Sequence, residues 1–121
     1  MKIKTSELTG AALDWSVAKC EGTLKYYVQP NEKRGTLKWE LTPHVRRYST
    51  NWAQGGPIVD NIKGLQFKHW LGSKPETCCE AHINNYEGDW VQFGPTTLIA
   101  ALRCYVDSEL GDEVDIPKEL T

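Results

Sequence analysis

The chain has 121 residues, 40% of them apolar and 25% charged, with a formal net charge of −2. That length suits one domain, residues 1–121, and that balance excludes a disordered chain. No apolar run approaches the ~18 residues of a membrane span, and the N-terminal MKIKTSELTG lacks the apolar segment of a signal peptide, so a cytoplasmic protein without membrane contact is expected.

In chain order, the first predicted element is a helix. Thr9 stands as its N-cap, with Leu8 and Leu13 at the positions of a hydrophobic staple. Leu13, Val17 and Cys20 fall on one stripe, Ala11, Trp15 and Ala18 on the next, and Gly22 is the stop. LKYYV (24–28) and TLKWEL (36–41) alternate with period two and predict a half-buried antiparallel hairpin across the polar loop QPNEKRG. Pro43 breaks that pattern. Pro57 suits the first position of a short helix, PIVDNIK, closed by Gly64. LQFKHW, TCCEAHI and WVQF read as strands, the last two joined by the turn-like NNYEGD. Gly94 and Pro95 open a second long helix with Thr96 and Thr97 in its first turn. Leu98, Leu102, Tyr105, Val106 and Leu110 repeat at helical spacing up to Gly111. DEVDIP adds a short edge strand. The expected fold is α+β: two main helices and a short one against an antiparallel sheet of four to six strands.

Charge is unevenly spread: residues 1–74 carry +6 and residues 75–121 carry −8. Such halves pair within a chain, pair across a homo-oligomer, or remain two solvated faces. The uniform basicity of a duplex-DNA binder is missing. Cys20, Cys78, Cys79 and Cys104 form no C-x-x-C spacing, and free buried thiols are expected. Adjacent Cys78 and Cys79 are expected on opposite faces of a strand. His69, Cys78 and His82 can be drawn as metal ligands, but Cys78, Glu80 and His82 share one strand face by simple alternation. Neither a metal nor a cofactor is expected.

Signatures of hydrolases, zinc proteases, P-loop proteins and dinucleotide-binding proteins are missing, so no catalytic residues are assigned. The chemistry concentrates instead in residues 46–57. Gly55 and Gly56 allow close approach of backbone to a ligand, and a helix starting at Pro57 aims its free N–H groups at the same turn, which favours an anion. Ser49, Thr50, Asn51 and Gln54 supply polar side chains. Tyr48 and Trp52 offer stacking faces, and Arg46 and Arg47 suit phosphate. The second helix start adds Thr96 and Thr97, with Arg103 on the same face. Each of these has a plainer reading: a glycine–proline helix start, caps, a tied-down turn, and an arginine stem lying over the core.

Three blocks, KTSELTGAALDWSVAKCEG, YSTNWAQGGPIV and GPTTLIAALRCYVDSELGDEVDIPKEL, resemble the phage NinX family in its order and span most of the chain. Residues 24–42 and 65–92 match less clearly. The family often has Pro where this chain has Thr97. The resemblance implies phage origin and action in the bacterial host cytoplasm, and it brings no mechanism.

The leading expectation is a non-enzymatic binder that sequesters a small anionic ligand, such as a nucleotide signal of host defence. The alternative is an accessory protein that docks on a host or phage protein through Trp52, Tyr48 and the arginines. A third reading, an enzyme with His44 as base, has no positioned partner to support it.

Overall fold

The computed structural model describes residues 1–23, 25–28, 37–40 and 47–120. The polar hairpin loop, Pro43, His44 and Arg46 lie outside the described residues.

The fold is α+β, and among the described residues the strands divide into three small antiparallel sheets rather than the single sheet expected. Strand β1 (Lys2–Lys4) pairs with β7 (Glu113–Asp115), setting Ile3 opposite Val114. Strands β2 (Lys25–Val28) and β3 (Leu37–Glu40) form the expected hairpin, with Tyr26 opposite Trp39. Strands β4 (Leu65–His69), β5 (Cys79–Asn85) and β6 (Gly88–Gly94) make the third sheet, in that order. Three residues alternating apolar and charged give β1 too weak a periodicity to stand out; its pairing with the far end of the chain defines it.

Helix α1 (Gly10–Glu21) ends at Gly22, whose φ of 72° is the left-handed stop anticipated. Thr9 is its N-cap residue, but its hydroxyl makes no capping bond; its carbonyl accepts from Leu13 N at 3.3 Å. Helix α3 (Thr97–Leu110) is the centre of the molecule. Leu98 to Cys104 and Val106 are all buried, far more than one stripe, because α1, α2, β5 and β6 pack around it. Cys79, Ala81 and Ile83 of β5 face it and join one contiguous core with Leu8, Leu13 and Val17. No helix among the described residues is long and apolar enough to cross a membrane.

Helix α2 departs from expectation. It spans Trp52–Asp60, so Gly55, Gly56 and Pro57 lie inside it instead of preceding it. Asn51 decides the start: its side-chain oxygen accepts from Ala53 N at 2.9 Å, while its carbonyl accepts from Gln54 N and Gly55 N at 3.1 and 2.8 Å. Pro57 donates no hydrogen bond, so Ala53 O lacks its helical donor, a cost that this cap and the packing of Gly55 offset. A Cβ on Gly55 would stand 2.1 Å from the Tyr48 carbonyl oxygen and 3.0 Å from Leu98 Cδ1. On Gly56 it would meet only Trp52 Cε3, at 3.5 Å.

Two neighbouring glycines therefore have opposite fates. Gly55→Ala is expected to lower unfolding stability by about 2 kcal/mol or more through overpacking. Gly56→Ala is expected to raise it by about 0.5–1 kcal/mol through helix propensity. Urea denaturation of both variants checks this; shifts of the same sign would contradict the placement of α2.

Candidate functional site

The polar segment before α2 is tied down internally. Ser49 is buried, and its N–H donates to Asp14 Oδ1 at 2.8 Å. Burial is the main influence on the Asp14 carboxyl and raises its pKa above the usual range. Thr50 N and Asn51 N both donate to Arg47 O, at 3.2 and 3.0 Å, and Arg47 N donates to Gln54 Oε1. Tyr48 is 5% exposed and its carbonyl lies under Gly55. The anion cradle expected at Gly55–Gly56 is thus not formed: the Gly55 amide already bonds Asn51 O, and helix α2 begins four residues before the glycine pair ends. Arg47, Thr50, Asn51 and Trp52 remain at the surface, Trp52 with 55% exposure.

The start of α3 is also internally satisfied. Thr96 Oγ1 accepts from Ile99 N at 3.1 Å, a side-chain cap. Thr97 Oγ1 lies 2.9 Å from His69 Nε2 and donates to Cys79 Sγ at 3.9 Å. Arg103 is a buried clasp: Nε donates to Leu8 O and a terminal nitrogen to Phe93 O, both at 2.7 Å. Desolvation lowers its pKa, and no group in those two bonds is a ligand. The first turns of α2 and α3 do approach each other, where Gly55 faces Leu98, and Ala53 N, Gly55 N and Ile99 N there are already bonded to Asn51 and Thr96.

What the fold opens instead is a cavity of about 500 Å³ between α2, α3, the end of α1 and the β5–β6 hairpin. Tyr48 and Gln54 are the expected site residues that line it. Ile58, Ile62 and Ile83 give it apolar floor, and Trp90 and Tyr105 give it aromatic faces. Among the described residues its walls carry the carboxylates of Glu21, Glu87 and Glu109 and the ammonium of Lys63, beside Asn61 and Asn85. Tyr105 OH donates to Glu21 Oε2 at 2.6 Å; burial, then that carboxylate, push the phenol above its usual range. The volume is that of a small-molecule site, and the lining is more polar than apolar, which suits a polar ligand.

Among the described residues no three His, Cys, Asp or Glu side chains gather to hold a metal. His82 contacts Asp89, while His69 reaches Thr97. The alternation expected of Cys78, Glu80 and His82 also fails at one end. Cys78 closes the 3₁₀ turn Pro75–Thr77, outside β5, so its side chain is not set by strand alternation, and its sulfur lies 3.8 Å from that of Cys79.

The family model for NinX of bacteriophage P22 matches residues 4–109. The chain belongs to the NinX family. No curated protein matches it. The NinX match encloses every described residue that lines the cavity, from Glu21 to Glu109, and stops before β7. Its membership assigns a phage protein family, and the chemistry has to be read from the cavity.

Sequence reasoning missed every described lining residue but Tyr48 and Gln54; Trp90, Tyr105 and Glu109 are among those missed. Trp90 and Tyr105 read as ordinary core positions on a strand and a helix, and no pattern in the chain reports that α2 stops short of covering them.

Arg103→Met keeps the apolar stem and removes both bonds to buried carbonyls. It is expected to cost about 2 kcal/mol or more, because charged hydrogen bonds are lost and acceptors stranded. Urea denaturation measures this; an unchanged midpoint would show that the clasp contributes nothing.

Proposed function

We propose that this NinX chain is a non-enzymatic binding protein that sequesters a nucleotide in the bacterial host cytoplasm, base first, in the cavity between α2, α3 and the β5–β6 hairpin. The observation that carries the reading is the pairing of Trp90 and Tyr105 with carboxylates and amides around one cavity of about 500 Å³. Aromatic faces stack a base, at about 1–3 kcal/mol per base in nucleic-acid systems. Carboxylate and amide oxygens accept from exocyclic amino groups. A phosphate is repelled by Glu21, Glu87 and Glu109 and goes to the mouth, toward Lys63. The ligand is thus anionic at its exposed end only. Sequestration requires affinity alone, so the missing catalytic signature is no obstacle. A host-defence signalling nucleotide is a fitting target for a phage protein of this kind. The division of the chain into halves of +6 and −8 is what supports a homo-oligomer in this reading, with the halves pairing between copies.

The second reading is docking on a host or phage protein. Trp52 favours it: this tryptophan is 55% exposed, with Arg47, Thr50 and Asn51 also at the surface. Trp and Arg are common interface anchors.

Calorimetry with matched nucleosides and nucleoside monophosphates separates these readings. A base-first site binds at least one nucleoside, and Glu109→Gln changes which base is preferred. Lys63→Ala is expected to weaken the monophosphate about tenfold while sparing the nucleoside. Both residues are exposed, so folding is not at stake. No heat from any base at millimolar concentration overturns the nucleotide reading. Recovery of one stoichiometric protein, lost in Trp52→Ala, would then establish the second.

A further inference from the structure

Hydrogen-bond donors are unevenly spent around the cavity, and, on the base-first reading above, that imbalance selects among bases. On the side built by the end of α1, Thr23 and α3, every hydroxyl has already donated. Thr23 Oγ1 donates to Ala18 O at 3.3 Å, Tyr105 OH to Glu21 Oε2 at 2.6 Å and Ser108 Oγ to Tyr105 O at 2.7 Å. With the carboxylates of Glu21 and Glu109, the side chains here offer a ligand acceptors alone. The two carboxylates share one corner: burial first, then Glu109 and Glu21, push the neighbouring Cys20 thiol up to about 12, and both also act on the Tyr105 phenol.

The side built by α2 and the β5–β6 hairpin is the reverse. Arg47 N occupies Gln54 Oε1, and Glu87 N occupies Asn85 Oδ1 at 2.8 Å, so each amide keeps its NH2 for a further partner. Lys63 adds an ammonium. Glu87 is the carboxylate on this side, and it shares a neighbouring hollow with Lys63. Bases differ in how they meet two such surfaces. Guanine sets two adjacent donors, N1–H and the 2-amino group, against a carboxylate, and its O6 and N7 acceptors lie together on the next edge. Adenine and cytosine set one amino group beside a ring-nitrogen lone pair, which a carboxylate repels. Uracil and thymine set one N–H between two carbonyl oxygens, repelled likewise. Of the common bases, guanine alone fills both oxygens of one carboxylate.

We infer that the cavity selects a guanine nucleotide, with Glu109 accepting from N1–H and the 2-amino group and the Gln54 and Asn85 amides serving O6 and N7. Glu109 takes this role rather than Glu21. Glu21 spends one oxygen on the Tyr105 hydroxyl, whereas Glu109 makes no hydrogen bond among the described residues and has both oxygens to give. Two parallel bonds to one carboxylate need both. The phosphate stays at the mouth, toward Lys63, as for any nucleotide bound base first.

Calorimetry on the full chain with the 5′-monophosphates of guanosine, inosine, adenosine and cytidine tests this. The phosphates are identical, so differences report the base, and inosine is guanosine without the 2-amino group. The guanosine compound is expected to bind about tenfold tighter than the inosine compound, and tighter still than the other two. Glu109→Gln, a change at an exposed position, puts an N–H where guanine needs an acceptor, and is expected to remove most of the difference between guanosine and inosine. Adenosine or cytidine bound as tightly as guanosine, or a guanosine preference intact in Glu109→Gln, overturns the guanine assignment and leaves a base-first site standing. Heat from none of the four overturns both.

Discussion

The whole arrangement depends on how closely other segments approach helix α3. Two of them come in over a glycine. A Cβ on Gly94 would stand 2.9 Å from Ala100 N, and one on Gly55 would stand 3.0 Å from Leu98 Cδ1 while striking the Tyr48 carbonyl. The third approach is polar: Arg103 reaches outward from α3 and ties Leu8 O and Phe93 O to it. Because α3 is buried nearly all round, the small sheets of the described residues suffice; none has to supply a core by itself.

The same constraint produces the cavity. Gly55 presses the first turn of α2 against the start of α3, and α2 ends at Asp60, ahead of the turn into β4. The space beyond, next to Tyr105 and Trp90, is left open. Residues near the approach are spent on structure. Gln54, Thr96 and Arg103 each hold a backbone group or a cap, and their polarity serves folding before it serves any ligand. Gln54 does both, since it also forms part of the cavity wall, as Tyr48 does.

Periodic elements were legible in the sequence and junctions were not. Helices α1 and α3, the β2–β3 hairpin and strand β4 follow from spacing alone, as does the stop at Gly22. The error at α2 has a definite cause. Proline and glycine are strong local signals, and they point to a start at Pro57, whereas the asparagine six residues earlier offers the better cap and tertiary contact with α3 favours it. Strand β1 is too short to show a period and exists through pairing across more than a hundred residues. The cavity belongs to the same class of hidden feature. Its walls come from four distant segments, and burial in the core and lining of a cavity leave the same mark on an aromatic residue in sequence. The Cys78–Cys79 contact likewise depends on a turn that strand alternation does not foresee.

The central claim is that ligand chemistry resides beside Trp90 and Tyr105 and not at the glycine pair. Amide-resolved NMR during titration with nucleoside monophosphates tests it most directly. The account predicts shifts at Asn61–Lys63, at Asn85–Glu87 and at the Trp90 indole, with the Gly55 amide unmoved in its bond to Asn51. Shifts confined to Gly55 and Gly56, or a spectrum unaltered by every base, would contradict it.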